Sequence, residues 1–311
     1  MTDSVTMPYP VPKSVSQEAQ AILAAPVVRP TYPALGDTED WLAHIRAADE
    51  SILAVIPPVS EALNEDIRDV GGVQVFVHRS PSVREGGPVC LTMHPGGLIN
   101  MGGEVCRRLG ALSALSMEME VWSVDYRMPP LYPFPAGWDD AVAVYRHLVE
   151  RRDPKDVFVS GVSAGGNLAA ATLLRATDES LPMPAALYLG TPQLDLTESG
   201  DSFQVNAHAD RALASLEQVN LLYAAGHDLA HPYLSPLFGD VDDFPPTLLS
   251  TGTRDLFLSN TVRMHRKLRE SGVRAELLVF EAMPHAGFSG ATPEDIELSL
   301  EVIQFVAAHR S

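Results

Sequence analysis

Near the middle of the chain, the letters VFVSGVSAGGNLAAATLL span residues 157–174. A short run typical of a β-strand precedes Gly161-Val162-Ser163-Ala164-Gly165, and a run rich in alanine and leucine, typical of a helix, follows it. Gly-x-Ser-x-Gly between a strand and a helix is the pattern of a nucleophile elbow, in which glycines permit the sharp turn that exposes the serine. Because three fixed positions match by chance in roughly one chain in ten of this length, the flanking strand and helix carry this prediction.

The same alternation extends from residue 73 towards the C-terminus, where short β-branched runs are separated by longer helical patterns. This order indicates an α/β fold with a mostly parallel sheet and helices on both faces. We expect eight strands, and seven candidates are recognisable at 73–77, 89–93, 121–125, 157–160, 185–189, 247–251 and 277–280. The helical candidates between and after them are 104–117, 138–152, 164–176, 260–270 and 293–308.

Two segments depart from the alternation and are predicted to be additions to the sheet. Residues 1–58 begin with several prolines and continue with helical patterns at 15–24 and 39–56, and residues 198–231 contain one at 213–225. We expect 59–311 to form the catalytic domain. Residues 1–58 and the insertion at about 198–231 would then form a helical cap over the carboxyl edge of the sheet.

The composition narrows the classes of partner. A content of 46% hydrophobic and 20% charged residues is that of a globular chain, and 22 basic against 40 acidic side chains give a net charge of -18. That charge opposes nucleic acid and anionic lipid, so a neutral small molecule is the expected partner. Cys90 and Cys106 do not make a disulfide framework and are expected to be buried free thiols. With neither a signal-peptide pattern nor an apolar stretch of bilayer length in view, the interpretation is a cytoplasmic protein.

Two further residues follow later strand candidates and complete a catalytic constellation with Ser163. Asp255 comes after the strand at 247–251, and His285 lies between the last strand and the last helix, which gives the chain order Ser, Asp, His. The alternatives left open are that Asp255 only caps the following helix, that Asp195 is the acid instead, or that His285 is an ordinary solvated histidine.

The segment His94-Pro95-Gly96-Gly97 follows the strand at 89–93, where backbone N–H groups for an oxyanion are expected. Gly96 and Gly97 are the predicted donors, with Ala164 as the third. The alternative is an ordinary strand-to-loop turn. Serine chemistry of this kind requires no metal or organic cofactor, and none is predicted. His227 and His231 have the spacing of helical metal ligands, but Gly226 and Pro232 flank them, so a metal site there is not expected.

With these motifs in this order, the chain resembles the hormone-sensitive-lipase-like family of bacterial carboxylesterases in the α/β-hydrolase superfamily, over most of residues 73–308. The motifs that carry the resemblance are 94–97, 124–127 with 132–136, 161–167, 235–237, Asp255 and His285. The stretch 254–260 is most similar to the branch of monoterpene lactone hydrolases and related esterases. Three positions depart from the usual motifs, namely Pro95, Val162 and Ser259.

The resemblance implies further assignments that the residues alone do not give. His94, Asp125 and Arg127 would support the oxyanion loop, and a homodimer through the last strand is common in such proteins.

The predicted function is a serine carboxylesterase acting on neutral short- to medium-chain esters or lactones. The alternatives are an acyltransferase or amidase with the same triad, or a catalytically silent ligand-binding protein. The predicted substrate pocket is formed by Leu98, Ile99, Phe257 and Phe288.

Overall fold

In the computed structural model, which describes residues 9–27 and 29–310, one eight-stranded sheet runs through the chain. Its strands are β1 (Asn64–Val70), β2 (Val73–Arg79), β3 (Val89–Met93), β4 (Glu120–Asp125), β5 (Val157–Val162), β6 (Ala186–Gly190), β7 (Thr247–Gly252) and β8 (Ala275–Phe280). The spatial order is β1-β2-β4-β3-β5-β6-β7-β8. Strand β2 is antiparallel to both neighbours, and every other pairing is parallel. The predicted α/β fold with eight strands is confirmed.

Strand β1 is the strand that the sequence candidates omit. Its residues, NEDIRDV, are mostly charged and exposed, so the strand lacks the apolar alternation that marks a half-buried strand. Main-chain pairing with β2 holds this edge strand, from Asn64 opposite Arg79 to Val70 opposite Val73. The two strands form a hairpin whose turn is Gly71-Gly72, both with positive φ, so the Gly-Gly turn is the sequence signal for β1 that the apolar pattern does not provide.

The helices include α1 (Gln17–Ala24), α2 (Thr38–Leu53), α3 (Glu104–Met117), α4 (Ala136–Val149), α5 (Ala164–Asp178), α6 (Ser202–Val205), α7 (Glu217–Ala224), α8 (Leu258–Glu270) and α9 (Pro293–Ala308). Helix α7 begins four residues later than predicted. The Asp210 carboxylate accepts the N–H groups of Ala212 and Leu213, at 2.8 and 3.2 Å, which holds this stretch as a loop. Helix α9 begins with a capping box between Thr292 and Asp295.

The sheet separates two apolar layers. Alternate residues of a strand point to opposite faces, so Leu91 and Val159 belong to the layer beneath α4 and α5. Cys90 and Phe158 belong to the layer beneath α3 and α9. Both cysteines are buried free thiols, as predicted. Among the helices of the described residues, none combines the length and the apolar character needed to cross a bilayer.

A third apolar cluster lies outside these layers and joins segments that are distant in sequence. Trp41 of α2, Phe203 of α6, Val219 of α7 and Phe257 just before α8 are all buried in it. The helical part of 1–58 and the 198–231 segment therefore pack together beside the loop that carries Asp255. Residues 1–8 and 28 of the predicted N-terminal cap segment lie outside the described residues.

Candidate active site

Ser163 lies at the junction of β5 and α5 with a backbone conformation of φ 57° and ψ -121°. A non-glycine residue in this region costs on the order of 1–3 kcal/mol, so the surrounding structure must enforce it. The Ser163 N–H donates to the carbonyl of Gly190, at 2.8 Å. A Cβ atom at Gly161 would clash with the carbonyl of Gly165, and one at Gly165 would clash with that of Met93. The two motif glycines are thus required by close backbone approach.

The three predicted catalytic side chains form one hydrogen-bonded series. The Oγ atom of Ser163 lies 2.8 Å from Nε2 of His285, and Nδ1 of His285 lies 3.0 Å from Oδ1 of Asp255. Asp255 is fully buried, and the other two are 5% exposed. Asp255 and His285 lie close together because they follow adjacent strands. Strand β7 pairs with β8, with Gly252 opposite Phe280, so the two loops leave the sheet side by side.

Two neighbouring groups hold the Asp255 carboxylate in place by hydrogen bonds. The Thr251 hydroxyl donates to Oδ2 of Asp255 at 2.7 Å, and the Phe257 N–H donates to Oδ1 at 2.9 Å. The Phe257 ring packs edge-on against the His285 imidazole, with centroids 4.8 Å apart. Thr251 was not singled out from the sequence, because a threonine at the end of a buried strand has no distinguishing pattern.

The rival acid, Asp195, has other partners. It accepts hydrogen bonds from Thr197, Ser199 and the Arg263 guanidinium, the last at 2.8 Å. The alternative of Asp195 as partner of His285 therefore has no contact to support it among the described residues.

The loop after β3 lies beside the elbow because β3 pairs with β5, with Met93 opposite Gly161. Gly96 and Gly97 have φ values of 116° and 62°, and the Gly96 carbonyl accepts the N–H groups of Ile99 and Asn100 in a tight turn. Within residues 9–27 and 29–310, the amides of Gly96, Gly97 and Ala164 have no hydrogen-bond acceptor. Three free donors beside a serine suit a developing oxyanion.

His94 contacts Pro95 of this loop and Tyr126 after β4. Its ring stacks on Tyr126 with centroids 4.0 Å apart and an interplanar angle of 5°, and Nδ1 lies 2.7 Å from the Pro95 carbonyl. Burial lowers the pKa of His94 to about 4, against a weaker opposing effect of the Pro95 carbonyl, so the imidazole is neutral at pH 7. Asp125 accepts the Gly103 N–H at 2.8 Å, at the far end of the same loop, and burial raises the pKa of its carboxyl.

Arg127, which the resemblance implies as a support of the oxyanion loop, has its hydrogen bonds to another residue among those the structure describes. Its guanidinium binds the Asp140 carboxylate at 2.7 to 3.1 Å, and its backbone N–H donates to the same carboxylate at 2.9 Å. Asp140 is 3% exposed near the start of α4, and a buried carboxylate requires a paired charge. Arg127 therefore ties the loop after β4 to α4.

His94, Cys106 and Asp125 bring three potential metal-ligand atoms within 4.8 Å of one another. The Cys106 thiol contacts the Val124 carbonyl at 3.6 Å, and burial raises its pKa well above the usual range. The Asp125 carboxylate accepts the Gly103 N–H, and Nδ1 of His94 lies against the Pro95 carbonyl. The three side chains come from the end of β3, from α3 and from the end of β4, and they lie together beside the oxyanion loop.

The four predicted pocket residues are divided among three places. Ile99 and Phe257 share the cluster with Trp41 and the 198–231 segment. Leu98 belongs to the main core, and Phe288 packs in a separate cluster that includes residues of α1. Only Ile99 and Phe257 thus lie where the two helical additions meet the sheet edge.

A strand-turn-helix serine, a histidine after β8 and a buried acid after β7 define, on this sheet, a protein of the α/β-hydrolase class. A family model described as alpha/beta hydrolase fold matches residues 90–289, and the chain belongs to that family.

Two relatives that are similar in sequence are named as an esterase and an acetyl-hydrolase. The chain is 36% identical to an esterase of Acinetobacter venetianus over 171 residues, which cover 53% of this chain and 56% of that protein. It is 36% identical to an acetyl-hydrolase of Streptomyces hygroscopicus over 168 residues, covering 53% and 55%. The chain thus spans about half the length of these curated relatives.

Solved structures match over more of the chain. The crystal structure of one esterase superposes with a TM-score of 0.87 at 33% identity and covers 97% of both chains. An esterase from the bacterial hormone-sensitive lipase family superposes with a TM-score of 0.84 at 27% identity, covering 95% of this chain and 99% of that one. The resemblance to the hormone-sensitive-lipase-like family is confirmed.

Proposed function

We propose that the chain is a serine carboxylesterase that hydrolyses neutral short- to medium-chain esters or lactones through an acyl-enzyme. The hydrogen-bonded series Ser163, His285, Asp255 is the observation that carries this proposal. Relatives named esterase and acetyl-hydrolase support the ester as the bond attacked. The formal charge of -18 favours substrates without negative charge.

The geometry supports a defined sequence of proton transfers. Nε2 of His285 takes the Ser163 hydroxyl proton as Oγ attacks the carbonyl carbon, while Asp255 holds the Nδ1–H and stabilises the imidazolium. The oxyanion accepts hydrogen bonds from the free amides of Gly96, Gly97 and Ala164, each worth about 10²–10³ in rate in comparable enzymes. His285 then protonates the leaving alcohol. Water repeats the cycle on the acyl-enzyme and releases the acid.

The proposed cap comprises the helical part of 1–58 together with 198–231, placed on the catalytic domain 59–311. Its support is the shared cluster of Trp41, Phe203 and Phe257 beside His285. In this arrangement Ile99 and Phe257 form part of the pocket for the acyl or alcohol group.

A homodimer through the last strand is also proposed. Strand β8 is an edge strand, and its Val279 is 47% exposed; Ile296 and Leu300 of α9 are 53% and 52% exposed. Light scattering of the wild type and of Val279→Lys tests this, with a monomeric wild type as the contrary result. We place the protein in the cytoplasm, where its two free thiols would stay reduced.

A substrate panel with an active-site probe tests the proposed reaction. We expect wild-type protein to hydrolyse p-nitrophenyl esters and lactones and to be labelled by a fluorophosphonate, and Ser163→Ala to lose both by at least ~10⁴-fold while remaining folded. Faster ester loss with added alcohols would indicate an acyltransferase, and preference for anilides an amidase. Labelled protein without turnover would indicate a silent binding protein. Unlabelled wild type would refute the triad.

A further inference from the structure

Asp210 lies in the loop between α6 and α7, within the 198–231 segment, and is fully buried. Its Oδ1 atom accepts the N–H groups of Ala212 and Leu213 in its own loop. Its Oδ2 atom accepts the N–H of Leu256, at 2.6 Å. Leu256 directly follows Asp255, so one carboxylate joins the 198–231 segment to the loop that carries the catalytic acid.

Other side chains of the same segment reinforce this junction. The Asn206 amide donates to the backbone carbonyls of Thr253 and Asp255, at 3.2 and 2.9 Å. The Ser202 hydroxyl donates to the Leu256 carbonyl at 2.7 Å and accepts the Ser259 N–H at 2.9 Å. The backbone on both sides of Asp255 is therefore held by residues 202–210.

The charges around Asp210 connect it to the catalytic histidine. All three of its side-chain contacts are N–H donors, which suits an ionised carboxylate. Burial raises the pKa of Asp210, the nearby His285 lowers it, and the charge of Asp255 raises it. Arg29 donates to the Asp210 backbone carbonyl at 2.8 Å, not to its carboxylate.

Arg211, the next residue along the chain, also binds backbone carbonyls. The Arg211 guanidinium donates to the backbone carbonyls of Leu23 and Ala25, at 2.9 and 2.6 Å. Within the described residues, no salt bridge is formed by the Asp210 carboxylate. The Asp210 carboxylate is thus held by backbone N–H groups alone, and His285 and Asp255 are charged groups that act on its pKa.

We propose that Asp210 is a positioning residue for the Asp255–His285 pair: it fixes the acid loop through the Leu256 N–H and adds a second negative charge that favours the histidine imidazolium. The inference rests on the proposed function and gives the 198–231 segment a part in catalysis as well as in substrate binding. This role in catalysis concerns both Asp255 and His285, because the positions of both depend on how the backbone of 253–257 is held.

Asp210→Asn tests this proposal, because the amide keeps the volume but loses the charge and one acceptor atom. We expect kcat to fall about tenfold or more with KM changed less than about threefold, since the lost hydrogen bond acts on the catalytic pair. Loss of the charge disfavours the imidazolium. The acidic midpoint of the kcat/KM profile should therefore move to lower pH by roughly half a pH unit or more.

Asp195→Asn is the matched control, because Asp195 is also buried and has its own partners away from the triad. It should leave the acidic midpoint of the profile unchanged. Asp210→Glu retains the charge, so its midpoint should stay near that of the wild type even where kcat falls. A folded Asp210→Asn with the kcat and midpoint of the control would overturn the proposal, as would an equal displacement in Asp210→Glu.

Hydrogen exchange of the wild type covers the case in which these variants fail to fold. The Leu256 amide should exchange at least ~100-fold more slowly than an unprotected amide, and unprotected exchange would overturn the proposal. Slow exchange together with unfolded variants would support the fixing of the acid loop. A wild type that hydrolyses no ester or lactone would refute the proposed function alone, since the exchange measurement does not depend on turnover.

Discussion

His94 should make the stability of the protein depend on pH in a defined window. Burial lowers its pKa from 6.5 to about 4, so the unfolded chain binds a proton between these values that the folded chain does not. The stabilisation is therefore complete above pH 6.5 and is lost as the pH falls towards 4. One pH unit of difference corresponds to about 1.4 kcal/mol, so the full loss is about 3 kcal/mol, of which about 2 kcal/mol falls between pH 7.5 and 5.

His94→Phe isolates this effect. Phenylalanine retains the stacking on Tyr126 but does not titrate, and it loses the hydrogen bond to the Pro95 carbonyl, which costs about 1 kcal/mol at every pH. We expect the free energy of unfolding of the variant to fall by about 2 kcal/mol less than that of the wild type between pH 7.5 and 5. Carboxylates that titrate in the same window are common to both proteins and cancel in this difference.

Urea unfolding followed by circular dichroism at pH 7.5, 6 and 5 provides the measurement. His94→Gln serves as a second non-titrating variant: its stability at pH 7.5 should differ from that of His94→Phe, but its pH dependence should match. Parallel curves for the wild type and both variants would refute the reasoning, because they would mean that His94 binds its proton equally in the folded and unfolded chains.

Three further outcomes are expected. Asp255→Asn should lower kcat by about 10⁴-fold, because it favours the wrong imidazole tautomer, whereas Asp195→Asn should lower kcat far less. Steady-state kinetics with one p-nitrophenyl ester compares the two variants, and reversed effects would contradict the assignment. Pro95→Gly should leave kcat within a few fold and Gly97→Pro should lower it at least ~10²-fold, with thermal unfolding measured alongside. Gly161→Ala should lower the melting temperature and slow fluorophosphonate labelling, because its methyl group meets backbone; unchanged values of both would contradict the close approach.

Local patterns of apolar and polar residues were sufficient to predict most of the fold. Strands β3 to β8 are short, apolar and separated by amphipathic helices, so each is recognisable from its own residues. Strand β1 was missed because its charged residues lack the apolar alternation of a half-buried strand, although the Gly71-Gly72 turn after it is a hairpin signal. The start of α7 was misplaced because the Asp210 carboxylate, not a local helix signal, binds the amides at 212 and 213.

For the site, the sequence by itself determined which residue types follow which strands, because Ser163, Asp255 and His285 each lie in a short motif at the end of a strand. Only the tertiary structure decided which acid reaches the histidine, that Arg127 pairs with Asp140, and that Asp210 joins the acid loop. These contacts link residues 13 to 122 positions apart. Their partners are selected by strand order and by the need of buried charges for hydrogen bonds, and neither is encoded in a local pattern.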